Sequence, residues 1–192
     1  MIVVPNPGRA EQTLQAGKMR CPRCSGRLRP HGHGRARTVR GLGQATVPAR
    51  PRRARCVRCG ATQILLPGEL TVRRADSTEV IGTALAAKAA GHGFTIAAEL
   101  GRPASTVRRW LRRARGQHAR WLYLRAVERC AEIDRSLLER PAPHKTSLGG
   151  ALNLLAGAAL RYRKRLSLPD PHWALIALFV HGRLIAPPPP IQ

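Results

Sequence analysis

The sequence predicts an α+β protein: a small β-rich zinc ribbon, then an all-α helix-turn-helix unit and C-terminal helices. Three observations point there. Four of the five cysteines form two Cys-x-x-Cys pairs, Cys21-Pro22-Arg23-Cys24 and Cys56-Val57-Arg58-Cys59. Short runs broken by Gly and Pro fill residues 19–67. From residue 76 onward, apolar residues recur at helical spacing instead. The divisions that follow are an N-terminal arm at 1–18, the ribbon at 19–70, the helix-turn-helix at 76–116, and a helical region at 117–192 with a Pro-rich tail.

Met1 to Val4 fits a short edge strand before Pro5, and the rest of residues 1–18 has no clear period. No basic start precedes a long apolar core, so the segment does not read as a secretion signal. The ribbon is expected to hold strands at 26–30, 36–41, 45–49 and 61–66. It contains few large apolar residues, so burial alone would hardly fold it and a metal would have to contribute. Each Cys-x-x-Cys pair can place two thiolates on one edge of a tetrahedron, and Cys21, Cys24, Cys56 and Cys59 together complete it. Gly60 suits the tight turn after the second pair. The 31 residues between the pairs leave room for a hairpin. The competing reading is two disulfides, against which stand the odd Cys130 and the rarity of disulfides in the cytosol. His31 and His33 are alternative ligands that four paired cysteines make unnecessary. The implied cofactor is one structural Zn²⁺.

A helix is expected at 76–90, with Asp76 or Ser77 as N-cap and Val80, Ile81, Ala84, Leu85 and Lys88 at helical spacing. Gly91 and Gly93 end it. A short helix follows at 95–100, then the turn Gly101-Arg102-Pro103, then a helix from about Ala104 to Arg115. Residues 117–140 are helical up to Pro141 and Pro143, and 146–165 form another helix with a basic end. Asp170-Pro171 starts the last helix, as N-cap and N1. Pro187–Pro190 make a stiff tail. The apolar Trp173, Leu175, Ile176, Leu178, Phe179 and Val180 would pack on the rest of the chain or form a homodimer. The longest apolar stretch, Trp173 to Val180, is far below the ~20 residues that cross a bilayer. A cytoplasmic, nucleoid-associated chain is expected, with no membrane partner.

The charge narrows the partner. There are 34 Lys+Arg against 10 Asp+Glu, a formal net charge of +24. That excess implies a polyanion. Arginine dominates the basic residues. A GC-rich genome explains part of that preference but not the net charge. Residues 1–75 are the most basic region, with 16 basic and 2 acidic side chains.

The segment 93–113 has helix-turn-helix spacing. Ile96 and Leu100 face inward, Ala97 is the small residue at the crossing, and Gly101 occupies the turn. Val107 and Trp110 close the core from the third helix. That arrangement leaves Ser105, Arg108, Arg109 and Arg112 outward, with Thr106 beside them. The first residues of such a helix meet base edges in a major groove. Arg108 and Arg109 are candidates for guanine or phosphate, while Ser105 and Thr106 would cap the helix or touch the backbone. Arg53 and Arg55 in the ribbon would hold phosphate. Phe94 and Trp110 could stack on bases, but their spacing favours the core. Arg102 is unusual where an apolar residue is more common. Cys130 reads as a small buried side chain.

The order of these parts resembles the N-terminal half of certain bacterial insertion-sequence transposases. It runs Cys-Pro-Arg-Cys, His31-Gly32, Arg37-Thr-Val-Arg40, Arg53-Ala-Arg-Cys-Val-Arg-Cys59, Leu66-Pro67 and then the helix-turn-helix. The resemblance covers about residues 19–115. It implies a zinc ribbon on Cys21, Cys24, Cys56 and Cys59, and a helix-turn-helix at 93–113 that binds terminal inverted repeats. The remainder departs from that pattern. Only 77 residues follow Arg115, too few for the three-carboxylate catalytic domain. Their acids are Glu128, Glu132, Asp134, Glu139 and Asp170, and the first four sit among arginines on a helix, as ion-pair partners would. The chain is thus similar to a short actinobacterial-type family, related to transposases but without their catalytic domain. The expectation is sequence-specific double-stranded DNA binding without catalysis, as a transposase-derived regulator or accessory factor. The alternatives are a truncated transposase or nuclease component and an RNA-binding zinc protein.

Overall fold

A computed structural model describes residues 1–92, 95–139 and 143–186. It is a mixed α+β structure. Among the described residues there are strands β1 (Ile2–Val4), β2 (Leu28–His33), β3 (Arg37–Arg40), β4 (Thr46–Ala49), β5 (Arg52–Cys56) and β6 (Thr62–Pro67). The helices are α1 (Pro7–Gln15), α2 (Thr78–Ala89), α3 (Ile96–Glu99), α4 (Ala104–Arg113), α5 (Gln117–Ile133), α6 (Ser136–Glu139), α7 (Ser147–Arg165) and α8 (His172–Phe179). Phe94, Gly93, Pro141 and the 187–190 tail lie outside the described residues.

The main sheet has the order β1-β6-β5-β2, with β1 parallel to β6 and the other pairs antiparallel. β3 and β4 form a separate hairpin. The expected edge strand at the start of the chain is β1. The remainder of that region, where no period is visible in the sequence, forms α1. Its start is locally encoded: Asn6 Oδ1 accepts from the Arg9 amide at 3.0 Å, and Pro7 sits in the first turn. Ala10 and Leu14, four residues apart, anchor α1 on the sheet.

Three apolar clusters hold the chain together. One joins α1 to the main sheet through Leu14, Leu28, Ala54 and Leu65, and includes Cys21 and Cys56. A second lies among the helices and includes Ile81, Leu85, Val107, Leu122, Leu155 and Leu175. A third bridges the two halves, with Val39 and Ala49 of the hairpin, Val3, Leu66, Leu70, and Ala177 of α8. Leu175, Ile176, Phe179 and Val180 are buried within this chain's own helical cluster, and Trp173 and Leu178 pack against it. Gly82 of α2 permits that approach, because a Cβ there would lie 2.4 Å from the Trp173 ring. Cys130 is fully buried, with its thiol 3.5 Å from the Leu154 carbonyl.

Ser77 is the N-cap of α2 and accepts from the Val80 amide at 3.2 Å. Asp76 is used differently, as described below. α8 starts one residue later than Asp170-Pro171 suggests. Pro171 is extended, at ψ 147, and is itself the N-cap, while Asp170 is buried beside it. None of the helices among the described residues is long and apolar enough to cross a membrane.

Candidate functional site

The two cysteine pairs are built alike. In each, the first cysteine's carbonyl accepts from the amide four residues on: Ser25 N–H to Cys21 at 2.8 Å, and Gly60 N–H to Cys56 at 3.1 Å. In each, the first cysteine's amide donates to a carbonyl five residues on: Cys21 to Gly26 at 2.8 Å, and Cys56 to Ala61 at 3.0 Å. The residue after each pair is left-handed, Ser25 at φ 57 and Gly60 at φ 69. Glycine takes that conformation without strain, whereas Ser25 pays for its Cβ.

β5 delivers Cys56, and the turn before β2 delivers Cys21 and Cys24. The four sulfur atoms of Cys21, Cys24, Cys56 and Cys59 lie within 4.8 Å of one another. Cys21 Sγ is 3.8 Å from Cys59 Sγ, and Cys24 Sγ is 3.5 Å from Cys56 Sγ. A disulfide needs ~2.05 Å, so no bond joins them. An ion with ~2.3 Å thiolate bonds needs sulfurs roughly 3.8 Å apart on a tetrahedron. The cluster therefore fits a metal ion. Gly26 keeps it open, since a Cβ there would sit 2.9 Å from Cys56 Sγ and 3.3 Å from Cys24 Sγ. His31 and His33 are exposed on β2 and lie outside this group.

The amides of Cys59 and Arg58 point at Cys56 Sγ, at 3.5 and 3.4 Å. The Cys59 amide is the largest influence drawing the Cys56 thiol down to about 6. Cys24 also has an amide, from Gly26, that favours its thiolate, yet the neighbouring thiols, Cys59 first, push it up to about 11. One thiolate thus forms readily while another holds its proton. Binding a thiophilic ion must displace the retained protons. Metal affinity should therefore rise with pH between about 6 and about 11. Proton release on metal addition, followed in weakly buffered solution, checks this. Affinity independent of pH would contradict it.

The second group of expected residues lies on α4. Val107, Trp110 and Leu111 are buried, while Ser105, Arg108, Arg109 and Arg112 are exposed and Thr106 is half-buried. Ser105, Arg108, Arg109 and Arg112 line one shallow depression together with Arg115. Trp110 is only 3% exposed, so its ring belongs to the core and cannot meet a base. Ser105 and Thr106 do not cap the helix. Pro103 is its N-cap, and no side-chain cap bond forms. Ile96, Ala97 and Leu100 are buried in the same cluster as the inner face of α4, and Gly101 makes the turn at φ 61.

Arg53 and Arg55 lie on β5, on the opposite face from buried Ala54 and Cys56. Arg55 is exposed, and Arg53 is half-buried. Arg29 of β2, which sequence reasoning missed, stands directly opposite Arg55. Like charges across a strand pair repel, so an anion over this row would relieve them.

Nothing in the local sequence signals the buried node at the turn before α4. Arg102 Nε donates to Asp76 Oδ1 at 2.6 Å, with both side chains 5% exposed. Its Nη1 donates to the Leu100 carbonyl at 2.9 Å and its Nη2 to the Gly41 carbonyl at 2.7 Å. Arg40 of β3 reaches the other oxygen of Asp76 at 2.8 Å. The unusual Arg102 therefore ties the α3–α4 turn to the tip of the β3–β4 hairpin. In the helical region, Arg125–Glu128 and Arg129–Glu132 pair at helical spacing, and Arg161 of α7 pairs across with Asp134 at the end of α5.

Residues 21–110 match the model of a domain of unknown function, DUF6431. The match begins at the first cysteine and ends at Trp110, so it takes in both cysteine pairs, the hairpin and most of α4. No curated protein and no solved structure matches the chain.

Proposed function

We propose that this chain binds double-stranded DNA sequence-specifically, as a zinc-stabilised helix-turn-helix protein related to transposases. The observation that carries the reading is the sorting of α4. Its inner face is buried on α2 and α3, while Ser105, Arg108, Arg109 and Arg112 stand outward in one row. A helix presenting arginines from its first turns is suited to base edges and phosphates of a major groove.

The metal in this reading is Zn²⁺. Four thiolates are soft donors that favour it, and a closed four-thiolate set leaves no coordination position for substrate. Its role is structural: it fixes β5 and the two turns, and so the row Arg29, Arg53 and Arg55. These arginines supply affinity rather than readout. The chain works as a transposase-derived regulator or accessory factor, without catalysis of its own.

Fluorescence anisotropy with duplex DNA and a structured RNA of equal length, at equal salt, tests the partner. Duplex DNA should bind more tightly. Arg53→Ala and Arg55→Ala should each weaken all duplex sequences alike, and each should lower the salt slope by roughly one unit. Tighter binding to the RNA would overturn the reading in favour of an RNA-binding zinc protein. Magnesium-dependent nicking of plasmid that disappears in Glu132→Ala or Asp134→Ala would show a nuclease instead.

A further inference from the structure

A cleft of about 800 Å³ lies where the end of α4, the start of α5, the loop after β6 and the segment after α8 meet. Arg73, Arg74, Arg113 and Arg183 line it, and no carboxylate stands among its described lining residues. We propose that this cleft binds a phosphorylated small molecule of nucleotide size. The proposal does not rest on the duplex-binding reading.

The charge selects the phosphate. Four arginines line the cleft with no acid among its described lining residues, and a planar guanidinium matches phosphate oxygens bidentately. The start of α5 adds to this. Gly116 is its N-cap and offers no side-chain acceptor, and no acid lies in its first turn. Gln117 and His118, the first residues of this 17-residue helix, line the cleft. The positive end of the helix dipole therefore faces the same space.

His118 points to more than a bare anion. It is 7% exposed, and its Nε2 lies 3.1 Å from the Leu184 carbonyl. A carbonyl can only accept, so Nε2 carries the proton and Nδ1 presents a lone pair. Nδ1 is buried and has no hydrogen-bond partner. A ligand hydroxyl or N–H would satisfy it. Val72, Ile185 and Ala186 supply apolar wall, so the cleft suits a sugar or a base beside the phosphate. Its volume falls in the ~300–1,000 Å³ range of small-molecule sites. Arg73 is left-handed at φ 55, a conformation that a non-glycine residue keeps at some cost.

ATP is the probe, titrated calorimetrically into the full-length protein without DNA at physiological salt. One ATP should bind per chain, at least tenfold more tightly than inorganic tripolyphosphate. Arg73→Ala/Arg74→Ala should weaken ATP at least tenfold. The charge-matched Lys164→Ala/Arg165→Ala, at the exposed end of α7, should change it less than twofold. No ATP binding, equal losses in both double variants, or tripolyphosphate binding as well as ATP would each overturn the proposal. A loss of duplex affinity in Arg73→Ala/Arg74→Ala with ATP binding unchanged would also overturn it, and would assign the cleft to backbone phosphate. Failure of the duplex reading leaves the ATP measurement unaffected.

Discussion

Cys56→Ser is expected to release the metal and unfold the main sheet with α1 while leaving the helical cluster folded. Cys56 joins two roles. Its sulfur belongs to the four-thiol cluster, and its side chain is buried in the core that joins α1 to the sheet. That core contains few large residues, among them Leu14, Leu28 and Leu65. Structural Zn²⁺ binding supplies on the order of 10–16 kcal/mol in small zinc modules, far more than such a core can. The helical cluster contains neither cysteine pair and should keep its far-ultraviolet signal. Elemental analysis and circular dichroism measure both effects. Cys130→Ser is the control, because Cys130 lies in the helical cluster and should leave the metal in place. Full zinc occupancy in Cys56→Ser would contradict the assignment.

Asp76→Ala is expected to cost about 3–5 kcal/mol, because it strands a buried guanidinium. For a domain of this size, that corresponds to a Tm lowered by roughly 6–20 °C. Arg102 could not turn to water, since both side chains of the pair are 5% exposed. Arg40→Ala should cost under ~1 kcal/mol, because the Arg40 side chain is already 51% exposed. Replacing the pair together, as Asp76→Leu/Arg102→Met, should recover much of the loss, because no charge is then left buried. Thermal melts of these variants measure the series. Equal, small effects from Asp76→Ala and Arg40→Ala would mean that the node does not hold the turn.

What is legible in the sequence is local. Cys-x-x-Cys fixes two thiols by itself, and the two pairs do converge. The spacing of Val80, Ile81, Ala84 and Leu85 predicts α2 nearly to its ends, Trp110 lies in the core as its spacing suggests, and Cys130 is the small buried side chain expected of a cysteine without a partner. β5 escapes such reasoning because its two buried residues, Ala54 and Cys56, are small and its other three are arginines. That alternation resembles a basic linker. α1 escapes it because two buried residues, Ala10 and Leu14, are too few to show a period. The Asp76–Arg102 pair cannot be read from the sequence. Its members lie 26 residues apart, and only the packing of the hairpin on the α3–α4 turn makes their burial tolerable. Asp76 instead looks like an N-cap, a role that its neighbour Ser77 fills.

If α4 reads DNA sequence as proposed, selection from a random duplex library will show it. Wild-type protein should enrich one defined site. Arg108→Ala and Arg109→Ala should each relax one base position, by ~1–3 kcal/mol, while the other positions persist. Arg53→Ala should keep the whole site and lose affinity only. No enrichment by the wild type, or an unchanged site in both α4 variants, would mean that α4 does not read base sequence.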